Sequence, residues 1–268
     1  MMGFISLQEI FLYPGVGALA GLMAGLLGVG GGLVIVPVLL WVFGLLGFDS
    51  RVLMHLAVGT SLATIVVTSL SSIRAHHRRG AVRWELVRQL TPGILAGAWI
   101  GALVADWMSG QWLRRVFALF VLFLGIRMLL GLRLPVGREL PGRAGFLGAG
   151  GIIGAVSALV GIGGGSLTVP FLHASGVDMR HAVASSSACG LPIALAGALG
   201  FAWTGWSEPG LPPGSTGYVY WPAFGGIALT SVLLAPVGAR LAHSLPVRTL
   251  QRVFALLLLG VGSKLLLG

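Results

Sequence analysis

Two glycine-rich stretches of the same form are the first candidates for chemistry in this sequence. Residues 28–37 read GVGGGLVIVP, and residues 161–170 read GIGGGSLTVP. Glycine lets another group approach the backbone closely, and a helix that restarts after the glycines leaves free N–H groups at its start. Such N–H groups suit anions. The pattern therefore predicts an anion site at the backbone of two sets of glycines: Gly30, Gly31 and Gly32, and Gly163, Gly164 and Gly165.

Hydroxyl side chains form a second candidate group in the segments that follow the glycine stretches. Residues 55–63 read HLAVGTSLA, and residues 181–189 read HAVASSSAC. Hydroxyls can donate to anion oxygens without carrying a charge. The alternative is hydrogen bonding between helices, worth about 0.6 kcal/mol on average in membranes. Because the two groups occupy matching places, we expect five hydroxyls to bind the anion: Thr60, Ser61, Ser185, Ser186 and Ser187.

The histidines His55 and His181 open these two segments. Histidine changes its charge near neutral pH, so either residue could act as a proton carrier or as a partner of an anion. An interfacial histidine is the competing interpretation. No two histidines within one apolar segment have the spacing of metal ligands, and the seven acidic residues lie at segment edges or in loops. The sequence therefore predicts no metal site, no cofactor and no enzymatic activity.

The composition places these residues in a membrane. Of the 268 residues, 56% are hydrophobic and 9% are charged, whereas soluble domains carry about 25% charged residues. Stretches without Lys, Arg, Asp or Glu, such as 52–73 and 181–207, match the roughly 20 residues that a membrane helix needs. The net charge of +10 comes largely from arginines in short loops, which indicates membrane topology rather than nucleic-acid binding.

An internal repeat divides the chain into two halves. A shift of 133 residues superposes the two glycine stretches, and a shift of 137 aligns GAVRW (80–84) with GYVYW (217–221). We expect a first transmembrane repeat over 1–135 and a second over 136–268. The segment 133–143 is charged and contains proline, as a connector should.

The distribution of arginine predicts that the two repeats are inverted. Residues 74–88 contain five arginines, whereas the matching 204–221 contain no Lys or Arg. Positive charge marks cytoplasmic loops. Residues 74–88 and 133–143 should therefore face the cytoplasm, and 204–218 and the N-terminus should face outside. Inverted repeats with a site near the bilayer midplane are a signature of secondary transporters.

The remaining apolar segments supply three full crossings per repeat, and the glycine stretches lie in two longer segments, 14–47 and 145–176. Each longer segment must return to the side from which it enters, as a re-entrant pair of half-helices or as two short spans. The predicted fold is an all-α polytopic membrane protein with two inverted repeats, each with a glycine-broken re-entrant helical hairpin and three transmembrane helices. Four-residue spacing predicts helix packing for other glycines: Gly17, Gly21, Gly25, Gly97 and Gly101.

The paired glycine–proline stretches, the HLAVGTSLA and HAVASSSAC segments and the GAVRW step resemble the TauE/SafE family of sulfite and organosulfonate exporters. The resemblance covers nearly the whole chain. It implies a multi-pass protein of the cell inner membrane that moves small sulfur-containing anions, mostly outward. Ser166 and Thr168 stand where the first stretch has Leu33 and Ile35. We therefore expect more polar contacts in the second half and include Ser166 among the binding residues.

These observations together predict a secondary exporter of sulfite or of an organosulfonate such as sulfoacetate, with the anion between the two glycine turns. A transporter of another small anion, thiosulfate or a carboxylate, is the first alternative. A membrane anchor subunit is the second. The expected partners are the anionic substrate and the lipid bilayer, with no nucleic acid.

Overall fold

The computed structural model describes residues 13–19, 21–22, 31–131, 140–242 and 247–267. These residues are almost entirely helical, with one short antiparallel β-hairpin of β1 (Ser215–Thr216) and β2 (Val219–Tyr220). The helices of the described ranges are α1 (13–19 and 21–22), α2 (Gly32–Leu45), α3 (Leu53–Arg78), α4 (Trp84–Trp107), α5 (Gly110–Leu129), α6 (Arg143–Val160), α7 (Gly165–Ala174), α8 (Met179–Thr204), α9 (Trp221–Ala242) and α10 (Val247–Leu267).

Four of these helices are long and apolar enough to cross a membrane, as far as the chain is described: α3, α4, α6 and α8. Helices α5 and α10 have 20 and 21 residues, about 30 Å at 1.5 Å per residue. Large apolar side chains such as Ile152, Phe123 and Leu199 are more than half exposed, as lipid-facing residues are. The prediction of an all-α polytopic membrane protein is confirmed.

Glycines hold α4 against α6. The backbone of α6 lies so close to three glycines of α4 that no Cβ would fit: Gly93 faces Leu147, Gly97 faces Gly151 and Gly101 faces Ala155. Gly17 and Gly21 of α1 lie against the backbone of α9 in the same way. The packing role predicted for these spaced glycines is confirmed, except that Gly25 lies outside the described residues.

Helices α4, α6 and α8 begin at the same end of the molecule. Residue numbers rise together along the contacts of α4 with α6, so these two helices are parallel. Helix α8 runs with them, because His181 at its start bonds to Ala81, just before α4, and Gly200 packs against Ala102 near the end of α4. We call this end, which carries the arginines of 74–88, the arginine-rich end.

The second glycine turn belongs to a hairpin that enters and returns at the arginine-rich end. Helix α7 joins the far end of α6 to the start of α8, so it runs back toward the end where α6 began. Its 10 residues measure about 15 Å, half of a bilayer core. Helix α6 has 18 residues, about 27 Å, so the two arms of this hairpin are unequal in length.

The first hairpin enters from the opposite end. Helix α1 runs parallel to α9, since Tyr13 faces Gly226 and Gly21 faces Ser231. Helix α2 returns to the end from which α1 came, where the ring of Phe43 contacts that of Tyr220 at 5.7 Å between centroids. The two hairpins thus enter from opposite ends of the molecule. The orientation of these ends in a bilayer, and the division into repeats, remain predictions.

A loop of the first half is bonded to a helix of the second half. Between α3 and α4, the carbonyl of Ala81 accepts a hydrogen bond from His181 Nδ1 at 2.9 Å. Two residues later, the backbone N–H of Arg83 donates to Ser185 Oγ at 3.0 Å. Both partners lie in the first two turns of α8.

A loop of the second half is bonded to a helix of the first half in the matching way. Between α8 and α9, the ring of Tyr218 stacks on that of His55, with 4.8 Å between centroids. The backbone N–H of Tyr220 donates to Thr60 Oγ1 at 3.0 Å. A shift of 137 residues relates this loop to the first one. We call 81–83 and 218–220 the exchanged loops, because each of them contacts a helix of the other half of the chain.

Cysteine labelling tests the predicted topology. In a Cys189→Ala background, which removes the buried native cysteine, Ala75→Cys and Pro213→Cys place a thiol at exposed positions. An impermeant thiol reagent, added to cells with a permeabilised outer membrane, should label Pro213→Cys. It should leave Ala75→Cys unlabelled until the inner membrane is opened. Labelling of both variants in closed cells would contradict the predicted cytoplasmic position of the arginine-rich end.

Candidate functional site

The start of α2, which is the described end of the first glycine stretch, meets the second glycine turn in the interior of the molecule. Gly161 follows α6 with a φ of +70°, a left-handed conformation that favours glycine. Its carbonyl accepts a hydrogen bond from Ser61 Oγ at 2.8 Å. The backbone of Gly32 lies directly against Gly161 and Ile162, which leaves no room for a Cβ on Gly32. The start of α2 and the end of α6 therefore form a buried contact between the two halves.

Gly163 and Gly164 have less crowded surroundings. A Cβ on Gly163 would lie 3.5 Å from Ile65, an ordinary contact. A Cβ on Gly164 would lie 3.0 Å from Thr168 Oγ1, 3.1 Å from Ile193 Cδ1 and 3.3 Å from the carbonyl oxygen of Ser186. Two of these three neighbours are polar, whereas backbone packs on backbone at Gly32.

Helix α7 presents unpaired backbone donors in this region. The N–H groups of Gly163, Gly164, Gly165 and Ser166 donate no hydrogen bond within the part of the chain that the structure describes. All except Gly165 belong to buried residues, and buried N–H groups are rarely unpaired. The start of a helix also carries a partial positive charge, so these groups are suited to anion oxygens.

Helix α2 starts in a similar way but among apolar side chains. Gly31 is the residue before the helix and Gly32 is its first residue. The side chains that follow, Leu33 and Ile35, are buried and offer no hydrogen bond. The two turns are therefore chemically unequal, in keeping with the difference between the two stretches. Gly30 lies outside the described residues.

Four buried hydroxyls in the segments around the second turn have no hydrogen-bond partner among the described residues. They are Ser157 in the last turn of α6, Ser166 and Thr168 in α7, and Ser186 in α8. Each side chain is at most 5% exposed. Burying a hydroxyl without a partner costs about 1–3 kcal/mol, and native structures contain few such groups. Four of them in neighbouring segments favour a ligand that the described part of the polypeptide does not supply.

The other hydroxyls predicted to bind the anion already form hydrogen bonds within the protein. Ser61 and Ser187 donate to backbone carbonyls, and a hydroxyl has a single proton, so neither can also donate to an anion. Thr60 and Ser185 accept hydrogen bonds from the exchanged loops and keep their protons. Of the five hydroxyls predicted from 55–63 and 181–189, Ser186 is the one without a partner in the described structure.

The segments that carry these donors are uncharged. Residues 14–48, 52–73, 144–177 and 181–207 contain no Lys, Arg, Asp or Glu. Among the described residues, no group of three or more His, Cys, Asp or Glu is placed to hold a metal ion. The donors are therefore neutral N–H and O–H groups, which can bind anion oxygens without a fixed counter-charge.

Comparison with known proteins identifies the family of this chain. The model of the family described as sulfite exporter TauE/SafE matches residues 13–265. The chain belongs to the TauE/SafE family. This confirms the resemblance that the glycine–proline stretches indicated.

The TauE/SafE chain has relatives in bacteria and archaea. It is 39% identical to a probable membrane transporter protein of Haemophilus influenzae over 94% of this chain and 96% of that protein. It is 26% identical to one of Methanocaldococcus jannaschii over 83% of this chain and 80% of that protein. No solved structure matches. The family, the relatives and the apolar helices identify a multi-pass membrane transporter.

The two predicted histidines of the TauE/SafE chain contact the exchanged loops. His55 Nε2 donates to a backbone carbonyl at the end of α4, at 2.9 Å, and His181 bonds to the loop before α4. Burial raises the pKa of Tyr218, on which His55 stacks. The Tyr218 hydroxyl therefore stays protonated and donates a hydrogen bond to Asp106 Oδ1 at 3.1 Å. Both histidines have structural partners, and we leave them out of the anion site proposed below.

Two hydroxyls near the TauE/SafE turn were not among the residues expected to bind. Ser157 lies four residues before the turn and is the one polar side chain in 145–160. A single polar residue in an apolar segment was the sequence feature that could have indicated a binding role. Thr168 follows Gly164 by four residues, so it lies on the same face of α7. Its hydroxyl borders Gly164 for that reason.

Proposed function

We propose that this TauE/SafE chain is a secondary transporter that exports a small sulfur-containing anion, sulfite or an organosulfonate such as sulfoacetate, across the inner membrane. The proposal rests on two sets of groups without partners in the described structure: buried hydroxyls of α6, α7 and α8, and the N–H groups at the start of α7. The hydroxyl of Thr168 borders Gly164 of the turn. The anion oxygens accept hydrogen bonds from the backbone of 163–166 and from Ser166, Thr168 and Ser186. Ser157 completes the set from α6.

The number of donors supports a sulfur oxyanion. Four N–H groups and four hydroxyls are available. A carboxylate offers about four acceptor positions on two oxygens, whereas a sulfonate or sulfite has three oxygens and correspondingly more positions. A carboxylate would therefore leave more of the buried donors unpaired, at about 1–3 kcal/mol for each.

The membrane potential is a sufficient source of energy for export. Neither glycine stretch is followed by the Lys-Ser/Thr of a nucleotide-binding P-loop. A potential that is negative inside drives an anion outward by about 2.3 kcal/mol per charge for each 100 mV. An anion with one charge can thus leave the cell against its own gradient without a coupled ion.

Efflux from proteoliposomes tests the proposed function. Vesicles that contain the purified protein are loaded with sulfoacetate or sulfite, and a potassium diffusion potential, negative inside, is imposed. We expect efflux that requires the protein and rises with the potential. Efflux of a carboxylate such as acetate, with none of sulfite or sulfoacetate, would contradict the proposal and support the alternative substrate class.

A further inference from the structure

We infer that Ser69 of α3 donates a hydrogen bond to the anion and that Gly190 of α8 leaves the space in which the anion lies, so that both halves of the chain bind it. This inference rests on the proposed function and adds two residues to its site. It starts from one point in the interior, the position that a Cβ on Gly190 would occupy.

Two hydrogen-bond donors border that position. Among the described residues outside the neighbouring turns of α8, two atoms lie within 4 Å of it: Ser69 Oγ at 3.1 Å and the backbone nitrogen of Gly164 at 3.7 Å. All three residues are buried. A donor lies about 2.7–3.2 Å from the oxygen that it bonds, so the oxygens of one small anion beside Gly190 can reach both donors.

Neither donor is used within the described part of the chain. The N–H of Gly164 is one of the unpaired groups at the start of α7, and the side chain of Ser69 forms no hydrogen bond there, although the residue is only 7% exposed. A serine inside a helix can bond to the carbonyl four residues earlier. For Ser69 that carbonyl belongs to Ile65, which accepts the hydroxyl of Thr68 at 3.3 Å.

The glycine at position 190 is not explained by close helix packing. At Gly93 and Gly97, a Cβ would lie less than 3.0 Å from the backbone of α6. At Gly190 the nearest atom of another helix is the Ser69 hydroxyl, which can rotate. The matching position in the first half, one residue beyond the similar segments 55–63 and 181–189, is Thr64. A side chain is therefore compatible with a helix here, and its absence in α8 leaves room for a ligand.

Ser69 gives the first half of the chain a direct part in binding. The other proposed donors, from Ser157 to Ser186, all belong to the second half. An anion held by the second half alone would be insensitive to movement of α3. An anion that also bonds to Ser69 stabilises the arrangement in which α3 lies beside Gly190, because a ligand favours the state that binds it better.

Binding of methanesulfonate to the purified full-length protein in nanodiscs tests this inference. Ser69→Ala removes the donor, and Gly190→Ala places a methyl group between the two donors. Each variant should bind at least about tenfold more weakly. Without an anion, the melting temperature of Ser69→Ala should not fall, and that of Gly190→Ala should stay the same or rise, because alanine is favoured over glycine inside a helix.

Matched controls are Thr68→Val, next to Ser69, and Gly148→Ala, at a helical glycine with open space around it. Both should bind methanesulfonate as the parent does. Parental affinity in Ser69→Ala, or in Gly190→Ala, would overturn the inference, as would a lower melting temperature of Ser69→Ala. If Gly190→Ala does not fold, Ser69→Ala alone decides. These outcomes leave the proposed function intact, whereas failure of the parent to bind methanesulfonate, sulfoacetate and sulfite alike would overturn both.

Discussion

Replacing Gly164 by leucine is expected to stop transport while the protein remains inserted in the membrane. A Cβ at this position would lie 3.0 Å from Thr168 Oγ1, so the rest of the side chain would occupy the space that the proposed anion needs. Loss of two hydrogen bonds to a charged ligand, at about 1.5–3 kcal/mol each, corresponds to a more than about 100-fold loss of affinity. The measurement is sulfoacetate efflux per amount of inserted protein.

Two other glycines provide matched controls for the Gly164→Leu variant. Gly148 on α6 has open space around it, so Gly148→Leu should transport as the parent does. Gly21 packs on the backbone of Ser231, so Gly21→Leu should lower the yield of folded protein. Normal efflux by Gly164→Leu would place the anion elsewhere and leave the second glycine turn as a hinge or a packing device.

Removing the unpartnered hydroxyls is expected to weaken binding without weakening the fold. Ser186→Ala and Thr168→Val each delete a buried O–H that has no partner in the described structure. A hydrogen bond to a charged ligand is worth about 1.5–3 kcal/mol, so each variant should bind methanesulfonate at least about tenfold more weakly. In the absence of an anion, the melting temperature should stay the same or rise, because an unpaired buried hydroxyl is a cost to the folded state.

The neighbouring serines give the opposite pattern. Ser187→Ala removes a hydroxyl that donates to the carbonyl of Val183, and Ser61→Ala removes one that donates to Gly161. The first should bind methanesulfonate as the parent does. The second should have a lower melting temperature, because it leaves a buried carbonyl unpaired. A lower melting temperature for both Ser186→Ala and Thr168→Val would show that those hydroxyls stabilise the fold, and the proposed site would lose its main support.

The sequence was sufficient to predict the membrane fold and the role of the spaced glycines. Segments without charge mark helices in lipid regardless of which helices become neighbours. Gly97 and Gly101 could be assigned to packing because small residues one turn apart allow two backbones to approach. Both properties are local, so they can be recognised in a single sequence.

The roles of the individual hydroxyls could not be predicted in this way. Ser186 and Ser187 are adjacent and chemically identical, yet one bonds to its own helix and the other has no partner. Ser61 bonds to a carbonyl 100 residues away. Such differences depend on which helix lies opposite, which the repeat indicates only in outline. Of the five hydroxyls expected to bind the anion in 55–63 and 181–189, four therefore have partners in the described structure, and Ser186 has none.

The exchanged loops have a consequence for how the protein is made. A chain is synthesised and inserted from its N-terminus, so α3 enters the membrane long before residues 218–220 exist. Until then Thr60 lacks the backbone N–H of Tyr220, and His55 lacks the ring of Tyr218. The first half of the chain therefore cannot form its final contacts until the second half has been synthesised. This single polypeptide shares the constraint of an obligate dimer, in which neither partner reaches its final structure before the other arrives.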